Sequence, residues 1–293
     1  MMGDLLQFTL TGMTIGSIYA IVALGFVTIY SVTKVINLAQ GEFVMLGGLT
    51  MFSLSSAGMP YWLGFIVTII FVSMIGWGME FVLIRRAKGA NAISLIILTI
   101  GTAIFFRGIA SMIWGKDQLR VAPFTENNPV NIAGATITPQ AIWVIVIMLL
   151  VVVLLYLLLD KTMVGKAFRA SSVNPLAARL MGISPKKMSA LSFALSAALG
   201  ALAGLAIAPI MFPAYDMGTM LGIKGFSAAI LGGLGSAPGA VIGGLLIGLL
   251  ESLGAGYISS GMKDAITFSA ILLILLIRPS GILGEKSVGK GGL

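Results

Sequence analysis

The chain of 293 residues contains no cysteine and no histidine. Disulfides, thiolate nucleophiles, zinc or haem held by imidazole, and acid–base catalysis by histidine are excluded together. Charge is scarce as well: Asp, Glu, Lys and Arg make up 10% of the chain, against roughly 25% in a soluble domain. No HExxH pattern and no catalytic pair of carboxylates is available. Hydrocarbon fills the space instead. Hydrophobic residues are 58% and the mean hydropathy is +1.06, values that describe one polytopic membrane domain over residues 1–293.

About 20 apolar residues cross a bilayer. Runs of that kind predict spans near 6–30, 38–57, 60–84, 91–114, 141–160, 188–211, 238–258 and 263–279. Residues 221–234 are apolar but short, and read either as a half-helix or as a thin ninth span. The expected fold is an all-α integral membrane protein, a polytopic helical bundle of about 8–9 spans with short broken or half helices. Met1 to Gln7 carries no basic region and the first apolar run is long enough to span, so no cleaved leader is expected.

A net charge of +8 would suggest nucleic acid as the partner of a soluble protein. Here it orients the chain against membrane lipid, with no nucleic acid expected, because basic loops stay in the cytoplasm. Counting residues 221–234 as a crossing places the N-terminus outside and the C-terminus inside. Lys34, Arg85, Arg86, Lys88, Arg278, Lys286 and Lys290 then join the cytoplasmic side.

The longest basic interruption, Asp160 to Lys187, sets Lys161, Lys166, Arg169, Arg179, Lys186 and Lys187 against the single acid Asp160. Within this loop, 161–187, Asn174 can cap a helix, Pro175 suits its first position and Gly182 can end it. The stretch Asn174, Pro175, Leu176, Ala177, Ala178, Arg179, Leu180, Met181, Gly182, Ile183 therefore predicts a helix of about two turns. Leu176, Leu180 and Ile183 fall on one apolar stripe. So short a helix is marginal alone and needs a surface to lie on. That surface is either the protein's own membrane domain or a soluble partner, and the residues alone leave both open. Ser184 and Pro185 repeat the cap-and-proline signal before the next span.

Polar side chains inside the apolar pattern are candidates for a translocation path. Asn37, Gln40 and Glu42 follow Lys34, either at the cytoplasmic interface or in a broken helix at depth, where a carboxylate would be costly and hence functional. Glu251 sits in GLLIGLLES about two thirds of the way out from Pro238, with Lys224 or Lys263 placed to neutralise it. Glu80 can pair with Arg85 or Arg86, and Arg107 and Asp264 complete the ionisable set. Glycine, at 38 residues, recurs four apart at Gly12/Gly16, Gly200/Gly204, Gly235/Gly239/Gly243 and Gly244/Gly248, a spacing for close helix contact. The run Gly232, Gly233, Gly235, Pro238, Gly239 has a turn composition, with Pro238 breaking any continuous helix, and predicts a hinge near the cytoplasmic face. The external loop 115–140 contains VNIAGATIT, a possible hairpin around Gly134, with exposure suited to a solute-binding protein. GEKSVGKGG (Gly284 to Gly292) falls short of a phosphate-binding loop, because Gly291 stands where Ser or Thr is required.

Four stretches carry a resemblance. GKAFRASSVNPLAARLMGI is similar to the coupling loop of branched-chain amino-acid permeases of ATP-binding-cassette (ABC) importers. INLAQGEFVMLGG, GIKGFSAAILGGLGSAPGAVIGGLLIGLLE and RPSGILG fit the same family, so the likeness runs from about Gly12 to Gly284. Gln40 departs from it, standing where many members have histidine. The resemblance implies a non-enzymatic, multi-pass subunit of the bacterial cytoplasmic membrane. It implies two ABC ATPase subunits, a second and unlike permease subunit, and an extracytoplasmic solute-binding protein as partners. No cofactor belongs to this chain; ATP and Mg go to the ATPases. The alternatives are an ion-coupled secondary transporter and an ABC permease for urea or short amides.

Overall fold

The computed structural model describes residues 2–284 apart from Lys88, Asn127 and Ala133. The helices are α1 (Met2–Thr33), α2 (Gln40–Ser56), α3 (Tyr61–Met79, continued as a π-helix through Glu80–Ile84), α4 (Ala92–Trp114) and α5 (Pro139–Tyr156, with a π-helical end Leu157–Lys161). They continue with α6 (Met163–Val173), α7 (Pro175–Leu180), α8 (Pro185–Met211), α9 (Met217–Gly232), α10 (Ala237–Tyr257) and α11 (Lys263–Ile277). Among the described residues, seven of these are long and apolar enough to cross a membrane, α11 only together with the 3-10 turn Ser260–Met262 that leads into it. The 17-residue α2 and the 16-residue α9 are shorter. The hairpin in the loop 115–140 forms as β1 (Val130–Ile132) and β2 (Ala135–Ile137), with Gly134 at φ 89° beside its turn.

Burial ranks the helices. The apolar windows of α1 and α8 are 78% and 72% buried, whereas those of α4 and α11 are 17% and 11% buried. The first pair forms the axis of the bundle, with α2, α9 and α10 packed around it. Small residues permit this. A Cβ on Gly16 would lie 2.9 Å from Leu245 Cα, and one on Gly12 2.9 Å from Leu249 Cα. The four-residue glycine spacing thus brings α1 against antiparallel α10 at backbone contact. Gly200 and Gly204 do the same for α8, against Phe43 and Val44 of parallel α2.

Two chain breaks interrupt the axis. Lys34 (φ 57°) and Phe212 (φ 50°) are the non-glycine residues in left-handed backbone among those described, and each follows one of the two buried helices. Each leads through a non-helical segment into a short helix, α2 or α9. The two short helices meet near their first turns, where Gly41 lies against Gly218 and Gly222. Gln40 bonds to Ser196, and Ser196 shares its hydroxyl between Gly25 O at 2.8 Å and Gln40 Oε1 at 2.5 Å. At 1.5 Å per residue, Gly25 and Ser196 lie roughly 12–17 Å from the neighbouring helix ends, so α2 starts two to three turns inside the bundle.

Several sequence readings are corrected here. Asn37, Gln40 and Glu42, left open between an interfacial and a buried broken-helix setting, lie at a chain break inside the bundle with 1%, 0% and 2% exposure. The loop 161–187 holds two helices, because MVGKAFRASSV folds as α6, capped by Thr162 Oγ1 accepting from Gly165 N at 3.2 Å. Pro238 does not break a helix: it occupies the first turn of α10, where its missing N–H costs nothing. Gly232 ends α9 and Gly239 is helical, so the turn is Gly233 to Ser236, with Gly233 at φ 107° and Gly235 at φ 105°. GEKSVGKGG after Gly284, and Lys88, Lys286 and Lys290, lie outside the described residues.

Candidate coupling surface and buried polar sites

The α6–α7 unit begins with its caps. Asn174 Oδ1 accepts from the backbone N–H groups of Leu176 and Ala177, each at 3.0 Å, and Pro175 follows at the first position. At the other end Gly182 (φ 81°) donates to Arg179 O and Ile183 to Ala178 O, each at 3.0 Å. This paired closure satisfies carbonyls that a short helix would otherwise leave bare. Arg169 holds the base of the unit, bonding Asp160 Oδ1 at 2.7 Å and Leu159 O at 2.9 Å.

The apolar stripe of α7 points away from the protein. Leu176, Leu180 and Met181 are 68%, 83% and 81% exposed, while the small Ala178 is the residue that turns inward. Pro175, Ala177, Arg179 and Gly182 are exposed and Ile183 is half-buried. Beside the stripe, Met163, Lys166, Ala170, Val173 and Ala177 line a groove between α6 and α7. An ordinary loop helix lying on its own domain would bury its leucines; this one presents them.

The second site is the buried chain break before α2. Asn37 Oδ1 accepts from Ala39 N at 3.1 Å, and Thr99 Oγ1 accepts from Leu38 N at 3.2 Å, so side chains satisfy backbone groups that no helix serves. Gln40 Nε2 donates to Ser196 O at 3.0 Å. Glu42 Oε1 lies 3.4 Å from Arg107 Nε, and Arg107 Nη1 donates to Thr219 Oγ1 at 2.9 Å. Arg107 thereby ties the start of α2 to the first turn of α9.

A third cluster neutralises Glu251. Its Oε1 lies 2.7 Å from Lys224 Nζ and 3.4 Å from Lys263 Nζ, and its Oε2 accepts from Tyr19 Oη at 2.8 Å. Lys224 also meets Asp264 Oδ1 at 2.8 Å. Both expected lysines take part, so four helices are joined by one nearly closed ion network. Glu80 likewise pairs with Arg85 at 2.8 Å.

A family model described as "Branched-chain amino acid transport system / permease component" matches residues 8–277. The chain belongs to this permease family. It is 33% identical to the high-affinity branched-chain amino acid transport system permease protein LivH of Escherichia coli (strain K12), over 97% of each chain. The identity to BraD of Pseudomonas aeruginosa, with the same description, is also 33% over 97% of each. A ribose import permease protein, RbsC of Haemophilus influenzae, is 26% identical over 93% of this chain and 84% of its own. Among solved structures, PsaBC from Streptococcus pneumoniae in complex with Fab shares the fold, with a TM-score of 0.52 at 13% identity over 94% of this chain and 92% of that one.

Two features of the permease escape the sequence reading. RPSGILG proves to be a strap: Ile282 and Leu283 donate to Leu231 O and Gly232 O at 2.8 and 2.9 Å, completing the C-terminus of α9. Their glycine permits it, since Gly281 (φ 81°) lies against the backbone of Gly233. The pairing of Arg107, itself among the ionisable candidates, is the other. The position of Arg107 amid the apolar α4 marks it as unusual, but its partners Glu42 and Thr219 lie on two other helices and no spacing links them.

Proposed function

We propose that this chain is the membrane subunit of an ATP-driven ABC importer in the bacterial cytoplasmic membrane, carrying branched-chain or related amino acids. The observation that supports this best is the outward apolar face of α7 on a rigidly capped two-helix unit. Covering Leu176, Leu180 and Met181 is worth about 1.5–3 kcal/mol each, a gain that only a partner can realise. Two ATPase subunits are that partner, and they bind the ATP and Mg that this chain does not. A second, unlike permease completes the wall of the path, and an extracytoplasmic solute-binding protein delivers the amino acid beside the loop 115–140. With α6–α7 in the cytoplasm, the N-terminus lies outside and the C-terminus inside. ATP-driven closure of the partners displaces α6–α7, and the load passes through α5 and α8 to the breaks at Lys34 and Phe212. The partner must bind the two permease states with different affinity, since equal affinity shifts nothing.

The double substitution Leu176→Asp and Leu180→Asp tests this reading. Membrane insertion and thermal stability are expected to stay at wild-type level, with co-purification of the ATPases and uptake lost. Retention of the ATPases with continued uptake would refute the coupling role.

A further inference from the structure

Arg107 is buried on one side only. Its side chain is 31% exposed on the outer half of α4, a helix otherwise presenting Ile100, Ile104 and Ile109 to its surroundings. A guanidinium left partly open at this depth is costly against lipid, so its open side meets water or another polar group. Its bonding is incomplete too. Nη1 reaches Thr219, Nε approaches Glu42 without hydrogen-bond geometry, and no described residue accepts from Nη2. Glu42, 2% exposed, keeps Oε2 without a hydrogen-bond partner beside Gly218.

The neighbouring face of α9 has a matching order. Asp216, Thr219, Met220 and Ile223 fall at i, i+3, i+4 and i+7 and so lie on one side of the helix. Asp216 is exposed, with no side-chain cap bond to its own helix, and is an electrostatic neighbour of Glu42. Met220 and Ile223 are 47% and 46% exposed. From Asp216 to Ile223 the helix advances about 10 Å, so the acid at its start and the apolar pair Met220 and Ile223 lie within two turns of one another.

We infer that this face is a binding site for the zwitterionic head of an apolar α-amino acid. Arg107, steadied by Glu42 and Thr219, takes the α-carboxylate; Asp216 takes the α-ammonium; Met220 and Ile223 receive the side chain. The planar guanidinium suits a carboxylate because two of its N–H groups can point at both oxygens at once. The site lies along α9 beside its junction with α2, so its occupant contacts α9 directly and α2 through the Arg107–Glu42 pair. This inference rests on the amino-acid permease reading and adds where in the membrane the substrate is recognised.

The absence of cysteine allows a direct test in the complete transporter reconstituted with its ATPases and partner permease. Met220→Cys supplies a single thiol in this chain, and a water-soluble methanethiosulfonate reagent is expected to label it. L-leucine is expected to slow labelling at least fivefold, and L-leucinamide, which lacks the carboxylate, to leave it unchanged. Arg107→Gln in the Met220→Cys background should abolish protection and cut leucine uptake at least tenfold. Because Arg107→Gln leaves Glu42 uncompensated, the neutral pair Glu42→Gln/Arg107→Gln and the exposed Asp216→Asn are measured alongside, and both should also lose protection. A thiol that does not react, equal protection by leucinamide, or protection surviving Arg107→Gln overturns the site. If the unsubstituted complex moves no branched-chain amino acid, the parent reading fails first, and the site with it.

Discussion

The α6–α7 unit and the Glu251 cluster both invert the usual distribution of polarity, and they do so at opposite energetic risk. In α7, Leu180 and Met181 stand more than four-fifths exposed outside the bundle, so their removal costs the fold little and, on the coupling role proposed above, their covering is a gain for the ATPase. In the α1–α9–α10 cluster, Lys224 and Glu251 are 5% and 4% exposed, and the loss of either leaves a charge stranded. Apolar groups exposed outside the membrane spans advertise an absent neighbour, whereas buried charges with every partner in place hold neighbours already present. Position in the chain does not distinguish them, since each lies within a few residues of glycine-rich or basic sequence. Burial does.

The largest expected effect is at Lys224. Lys224→Met leaves Glu251 with only Lys263, at 3.4 Å, as a cation within reach, and removing one partner of a buried pair costs about 3–5 kcal/mol. Thermal unfolding in detergent should show a strong loss for Lys224→Met and recovery of most of it in Lys224→Met/Glu251→Gln. A single substitution as mild as the double would show that the network carries little, and the contrast with α7 would vanish.

A second comparison sets two glycines against each other. Gly16→Val must force α1 from the backbone of Leu245 and Gly244, an overpacking cost of about 1–3 kcal/mol. Gly101→Ala on the open face of α4 meets nothing within 4 Å and should be neutral or gain a few tenths of a kcal/mol from helix propensity. Equal destabilisation of the two by thermal unfolding would mean that the α1–α10 seam is looser than its geometry indicates.

How much of this was legible depends on which physical quantity each feature expresses. Spans follow from run length, and α3, α4 and α8 begin and end within about three residues of the expected limits. Caps are local chemistry, so Asn174, Gly182 and Ser184 perform as their types predict. Depth is not local. Whether Asn37 and Glu42 lie in water or in the bundle is decided by Ser196, Thr99 and Arg107, none nearer than 57 residues in the chain. Helix α6 is missed because its polar composition, with Lys166, Arg169 and paired serines, reads as loop, and Pro238 because proline both breaks helices and starts them. For the exposed stripe of α7 the spacing identifies the residues that share a face, and only the packing shows which way that face looks.

A smaller effect separates fold from coupling at a surface pair. Arg169 and Asp160 are 59% and 41% exposed, and such a pair is worth about 0–1 kcal/mol. Arg169→Ala also removes the bond to Leu159 O at 2.9 Å, freeing the π-helical end of α5 from α6. Global thermal stability should stay within about 1 kcal/mol, while uptake driven per ATP hydrolysed falls if α5 transmits the load. Unchanged coupling would shift that role to α8.

The smallest and most discriminating change is at the cap of α7. Asn174→Ala removes the acceptor for the N–H groups of Leu176 and Ala177, and loss of an N-cap costs about 1 kcal/mol. Because α7 is six residues long and touches the bundle chiefly through Ala178, that loss should fray α7 alone and leave the unfolding temperature of the bundle where it is. A helix frayed before docking must be reordered on binding, so ATPase affinity should fall by roughly fivefold, the equivalent of 1 kcal/mol. Asn174→Asp, which keeps an acceptor at the same place and adds a charge favourable to a helix N-terminus, should retain wild-type affinity. If both substitutions weaken ATPase binding equally, Asn174 is read by the partner directly and the cap is incidental. If neither does, the order of α7 is imposed by docking, and the exposed leucines alone carry the contact.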